Sequence, residues 1–153
     1  MITWQQIDDV LGERISSALT EAGYPTARIS NDIIKPVARR SYRIDLYSTD
    51  DMGTECYAER GMDVEIYYYP QDKERPKQEL NEISQLLKVV IRSGILVSGV
   101  CLELSEGIEA DTSDGVLTLM FRLEWIETVQ EEGEHMQELV LNEEEVVYGS
   151  NDA

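Results

Sequence analysis

The sequence predicts an α+β fold: a mostly antiparallel sheet of about four to five strands, two main helices packed on it, and an acidic C-terminal tail. Three observations carry this. Leu117, Leu119, Phe121, Leu123 and Trp125 alternate with Thr118, Met120, Arg122 and Glu124, the period of a strand with one buried face. Leu80, Ile83, Leu86, Leu87, Val90 and Ile91 repeat at helical spacing. The elements then run helix, short strand, basic loop, strand, strand, helix, strand, strand, tail.

The first helix opens at Thr3, which with Gln6 has the spacing of a capping box. Its apolar stripe is Trp4, Ile7, Val10, Leu11, Ile15, Ala18, Leu19 and Ala22, and Gly23 and Pro25 end it. Residues 26–30 form a short strand and residues 31–40 a loop. Between Arg28 and Arg43 stand five basic residues (Arg28, Lys35, Arg39, Arg40, Arg43) against one acid, Asp32, in a chain with thirteen basic residues in all. Residues 41–47 alternate, with Tyr42, Ile44 and Leu46 on one face. The segment 48–54 is polar and joins this strand to the next, which begins near Cys56 and ends at Tyr69; Gly61 marks a bulge or bend within it. Pro70 stops that strand, Pro76 suits the first position of the second helix, and Gly94 closes that helix. Residues 97–104 read as one strand, 105–115 as a polar connection, and 116–126 as the long strand.

The chain has 153 residues, the size of one domain. Residues 1–129 are expected to form a single α+β domain, and 130–153 an acidic extension, partly ordered at most. From Glu127 onward there are nine acids and no Lys or Arg, with "MQELVLN" a short strand or helical turn at best. Net charge is −18, which argues against free binding to nucleic acid and against adsorption to anionic membranes. The N-terminus has no basic and apolar signal segment, and no apolar run is long enough to span a bilayer, so synthesis in the cytoplasm is expected.

Chemistry-bearing motifs are few. His135 is the single histidine and lies in the tail, where an exposed role outweighs metal binding. Cys56 and Cys101 match no metal spacing and read as two buried or half-buried thiols. Adjacent carboxylates (Asp8–Asp9, Asp50–Asp51, Glu131–Glu132, Glu143 to Glu145) arise freely among thirty-one acids. No phosphate loop, dinucleotide fingerprint or nucleophile elbow occurs. No catalytic residue, metal site or cofactor is therefore expected, and the chain does not read as an enzyme. Tyr67, Tyr68 and Tyr69 invite a base-stacking reading, but alternation turns the middle ring away from its neighbours, so packing explains them better. The basic cluster has two readings of equal standing: balance against acids of its own fold, or contact with an acidic neighbour.

At this point the order of elements resembles a known family. The segments "RRSYRIDLY", "GMDVEIYYYP", "ELNEISQLLKVV" and "VLTLMFRLEW" are similar to those of tail terminator proteins of long-tailed phages and prophages, in particular the small ones of Gram-positive hosts. The opening helix "WQQIDDVLGERISSALTEAG", the pair Tyr69-Pro70 and the closing "GVLTLMFRLEWIETV" belong to the same pattern, which covers roughly residues 4–129. Residues 49–61 are more elaborate than a simple connection, and the acidic tail is longer than the pattern. The resemblance implies a virion structural protein made in the bacterial host cytoplasm and destined for the virion tail. It implies a homo-hexameric ring that caps the tail tube protein, meets a head-completion or connector protein, and lets DNA pass without specific binding; no membrane is involved. Lys35, Arg39, Arg40, Arg43, Asp50, Asp51 and Arg60 form the candidate subunit or tube interface. A head–tail connector or tail-completion protein is the near alternative, and an acidic DNA-mimic module the distant one.

Overall fold

The computed structural model describes residues 1–29, 40–53, 56–72 and 74–128. Helix α1 (Trp4–Glu21) carries the expected capping box, with Thr3 Oγ1 accepting from the Gln6 N–H and the Gln6 side chain accepting from the Thr3 N–H. Ile2 and Ile7, at the two positions of a hydrophobic staple, are both buried. The stripe Ile7, Leu11, Ile15 and Leu19 is buried as the spacing requires. Trp4 and Ala22 depart from the expected stripe and are exposed, because the first helical residue and the C-cap lie beyond the elements α1 covers. Gly23 follows at φ +91°, a left-handed conformation suited to glycine.

The strands form one seven-stranded sheet in the order β1-β2-β3-β7-β5-β4, with β6 beside β7. Strand β1 (Ala27–Arg28) runs parallel to β2 (Ser41–Gly53), and every other pairing is antiparallel. The fold is thus α+β with a mostly antiparallel sheet as predicted, but the sheet has seven strands where four to five were expected. One feature lengthens β2 and two others add strands.

First, residues 48–53 continue β2 and do not connect it to β3 (Tyr57–Tyr69). The pairing steps from Ser48↔Met62 to Asp50↔Gly61, so Thr49 is the extra residue of a bulge. The bulge lies on β2, opposite the glycine that suggested it. Gly61 itself leaves room for Arg122, whose guanidinium occupies the place of a Cβ. Second, the single strand expected over 97–104 is a hairpin of β4 (Ile95–Val97) and β5 (Val100–Leu104). Ser98 and Gly99 sit at φ 49° and 81°, the signs a two-residue primed turn needs. Third, part of the polar connection is β6 (Glu109–Ser113), joined to β7 (Val116–Thr128) through Asp114-Gly115 at φ 54° and 74°. All five residues of β6 are exposed, so no apolar alternation announces it.

Helix α2 (Lys77–Arg92) buries Leu80, Ile83, Leu87 and Ile91. Pro76 is its N-cap, one position before the expected first turn, and its carbonyl accepts from the Leu80 N–H at 2.9 Å. Gly94 stands at φ +81°, and a Cβ there would meet the Leu102 carbonyl oxygen at 2.6 Å, so both backbone sign and space call for glycine. Helix α1 packs on β1, β2 and β4, α2 on β7, and the helices on each other. One core results, joining the α1 and α2 stripes to Tyr42, Ile44, Met62, Val64, Ile66 and the inward row of β7. Both thiols are exposed, against the expectation of burial: Cys56 lies just ahead of β3, and Cys101 points to the wetted face of β5. Among the described residues no helix is long and apolar enough to cross a membrane. The loop over 31–39, the tail segment "MQELVLN", His135 and the tail carboxylates lie outside the described residues.

Candidate functional site

The described basic residues of the candidate interface each meet an acid of the same chain. Arg40 Nε lies 3.2 Å from Glu79 Oε2, and its guanidinium sits 5.2 Å from the Tyr24 ring centre. Glu79 also accepts from the Tyr68 hydroxyl at 2.5 Å and from the Gln71 N–H, so this carboxylate of α2 pins the start of β2 and the end of β3. Burial first, then the bond to Glu79, pushes the Tyr68 phenol pKa up. Arg43 lies 4.4 Å from the Tyr67 ring centre and 3.4 Å from Asp45. Arg28 pairs with Asp8 at 2.5 Å. For these side chains the geometry is that of charge balance within the fold. Lys35 and Arg39 lie outside the described residues.

Among the described candidates, Arg43 and Arg60 do not share one patch. Arg43 pairs in register with Tyr67, whereas Arg60 sits seven residues back along β3, about 23 Å away at strand rise. Arg60 is also on the inner side. Its Nη1 lies 3.3 Å from Glu127 Oε1, and its guanidinium 5.9 Å from the Trp125 ring centre. Glu127 belongs to β7, not to the tail where composition placed it, and its Oε2 accepts from the Ile2 N–H at 2.6 Å. Asp50 and Asp51 pair through the β2 backbone with Gly61 and Arg60.

What sequence reading missed is the wetted face of the sheet as a surface. Asp45, Glu59, Asp63, Glu65, Glu103 and Glu124 alternate outward there, against Arg43 and Arg122. Arg122 bridges Glu124 at 2.8 Å and Asp63 at 3.3 Å. The signal was present in the outward positions of β3 and β7, but registering them needs the strand pairing. Of the three tyrosines, Tyr68 is buried, while Tyr67 and Tyr69 are half-buried on the opposite side.

Tyr67 donates to Glu65 Oε1 at 2.5 Å, and that bond, with burial second, pushes its pKa up to about 12. A raised folded-state pKa means that the associated stability is fully present below about pH 10 and is lost as pH rises through about 12. In an ultraviolet tyrosinate titration, Glu65→Ala should move Tyr67, and to a smaller extent Tyr47, to lower pH. An unchanged curve would show that the bond does not hold the proton.

Among the described residues no group of His, Cys, Asp and Glu could hold a metal ion. The molecule is a small α+β protein, its sheet covered on one face by two helices and charged on the other. It belongs to the phage tail terminator family: the family model described as "Phage tail terminator protein" matches residues 11–135. It is thus a phage tail-related structural protein. No curated protein matches the chain. A solved chain shares 14% identity over 86% of this chain and 99% of its own, at a TM-score of 0.47, a likeness too slight to assign a role.

Proposed function

We propose that the protein caps the growing tail tube as a ring of identical subunits and then forms the surface to which the head attaches. The family match over residues 11–135 carries this reading. Its role is structural, not enzymatic, and it passes from the host cytoplasm to the virion tail. The physics agrees with the role. A tube grows because each ring offers the next a matching face, and a terminator matches the tube on one side only. A net charge of −18 repels DNA phosphates, so the genome passes without being held. Copies of like charge need opposite charges at their contacts; of the candidates Lys35, Arg39, Arg40, Arg43, Asp50, Asp51 and Arg60, this reading rests on Lys35, Arg39, Asp50 and Asp51, because Arg40, Arg43 and Arg60 already meet acids of their own chain.

Purified protein should bind the ends of tail tubes and stop their extension, as read by electron microscopy and sedimentation. Lys35→Glu with Arg39→Glu should lower capping while circular dichroism stays unchanged. Arg40 is a poor test position, because Arg40→Glu sets a second carboxylate against Glu79 and disturbs the fold. Capping by the double variant equal to wild type, at low and high salt, would remove the electrostatic contact. Failure of the wild type to associate with tubes would remove the terminator reading itself.

A further inference from the structure

One row of the wetted face carries three exposed apolar side chains among acids, with Glu59 between two of them. Leu96 on β4 stands opposite Cys101 on β5. On the other side Ile126 of β7 stands opposite Glu59 of β3, which stands opposite Met52 of β2. Cys101 and Ile126 lie between them, each two residues beyond the last β5–β7 pair Glu103↔Glu124, and line one cavity. Leu96, Met52 and Ile126 are 64%, 67% and 62% exposed, so the row crosses the sheet uncovered. Scattered exposed apolar side chains are ordinary, but three on one line across the same sheet face, beside a cavity, mark an interaction surface.

The row borders a cavity of about 500 Å³ that Met52, Cys101 and Ile126 share with Glu59, Glu103 and Glu124 and with two arginines already paired elsewhere, Arg60 with Glu127 and Arg122 with Glu124 and Asp63. Glu103 and Glu124 lie directly opposite each other, an arrangement that like charges oppose. Arg122 relieves Glu124 but is divided between it and Asp63. Glu59 and Glu103 have no hydrogen bond or ion pair among the described residues. Trp125, 6% exposed, lines the same cavity, and its indole N–H has no acceptor among the described residues. The site therefore combines apolar contact area, two carboxylates without a partner among the described residues, Glu59 and Glu103, and a spare buried donor.

We propose that this row docks a segment of a second protein that presents apolar side chains flanked by lysine or arginine. Charge selects this occupant. A second copy seated face to face would set Glu59, Glu103 and Glu124 against their own counterparts. Residues 130–153 of the same chain bring eight acids and no Lys or Arg. A basic and apolar segment covers the row and neutralises the opposed carboxylates together, the usual division between an interface's dry centre and charged rim.

Fluorescence anisotropy with short labelled peptides tests this on the full chain. The probes are an alternating Leu/Lys peptide, its Glu-for-Lys and Ser-for-Leu counterparts, and a peptide of residues 130–153. The Leu/Lys peptide should bind, more weakly as salt rises, and the other three should not. Glu103→Lys and Ile126→Ser should each weaken that binding roughly tenfold, about 1.4 kcal/mol. Glu13→Lys, an equal charge change on the exposed side of α1, should alter it by less than about twofold. Circular dichroism confirms that each variant is folded. Equal weakening by Glu103→Lys and Glu13→Lys would reduce the effect to general attraction and overturn the proposal. So would tight binding of the Ser-for-Leu or the 130–153 peptide, or self-association of wild type that Ile126→Ser abolishes. No tube is present in this assay, so its failure leaves the capping reading standing.

Discussion

Leu119→Ala is expected to cost about 2–5 kcal/mol of unfolding free energy. Leu119 is fully buried, in the middle of the inward row of β7, and its cross-strand neighbour Ile66 is fully buried too. Both strands flanking this part of β7 are in place, so the surroundings have little freedom to collapse into the space left. Ile126→Ala deletes a similar bulk seven residues along the same strand, but from the exposed side, and should change stability by less than about 0.5 kcal/mol. Urea unfolding of the two variants gives the comparison, read as a shift in midpoint at constant slope. Equal midpoints would show that the inward face of β7 has been assigned to the wrong side.

The second large effect is expected at Glu127. Its carboxylate holds the Arg60 guanidinium and the Ile2 N–H together, and both side chains of the ion pair are largely buried, at 14% and 8% exposure. Glu127→Ala leaves a cation and a backbone donor without their partner in a poorly hydrated place, which costs about 3–5 kcal/mol. The pair itself is worth much less than that figure, because its own desolvation offsets most of its attraction. Arg60→Met combined with Glu127→Leu should therefore recover much of the loss, and the non-additivity measures the coupling. If the double variant is less stable than Glu127→Ala, the damage comes from packing and not from a stranded charge.

Sequence showed the parts of this fold where burial writes a period. The β7 row, the α2 stripe and the i, i+4 positions of α1 all survive in the structure, because each faces one continuous core. It was silent where burial writes nothing. Strand β6 exposes all five residues, and only the Asp114-Gly115 turn betrays it, a signal that reading 105–115 as a polar connection passed over. The β4–β5 hairpin was hidden because Val97 and Val100 flank a two-residue turn and look like one apolar run. Composition also misled at Glu127. A carboxylate at the head of an acidic tail looks solvated, and only the pairing of Tyr57 with Thr128 shows that the strand continues past it. The candidate interface fared differently. Charge contrast singled out the basic run from Arg28 to Arg43, whose described members Arg28, Arg40 and Arg43 each meet an acid of the fold, and Arg60, a candidate outside that run, lies at the far end of the hairpin.

The bulge in β2 has a consequence for how this chain tolerates insertion and deletion. Before it, the even-numbered residues Tyr42, Ile44 and Leu46 point to the core; beyond it, Met52, also even, pairs with Glu59 on the wetted side. Thr49 acts as a phase slip, a single residue absorbed without passing its shift on to the partner strand. A one-residue deletion at that point leaves both faces of the hairpin as they are, since it restores a regular ladder from Ser48 to Asp50. The same deletion at Ile44 or Ile66 would turn the remainder of its strand over. Length variation among relatives of this hairpin is thus expected in steps of one near the bulge and in steps of two elsewhere along it.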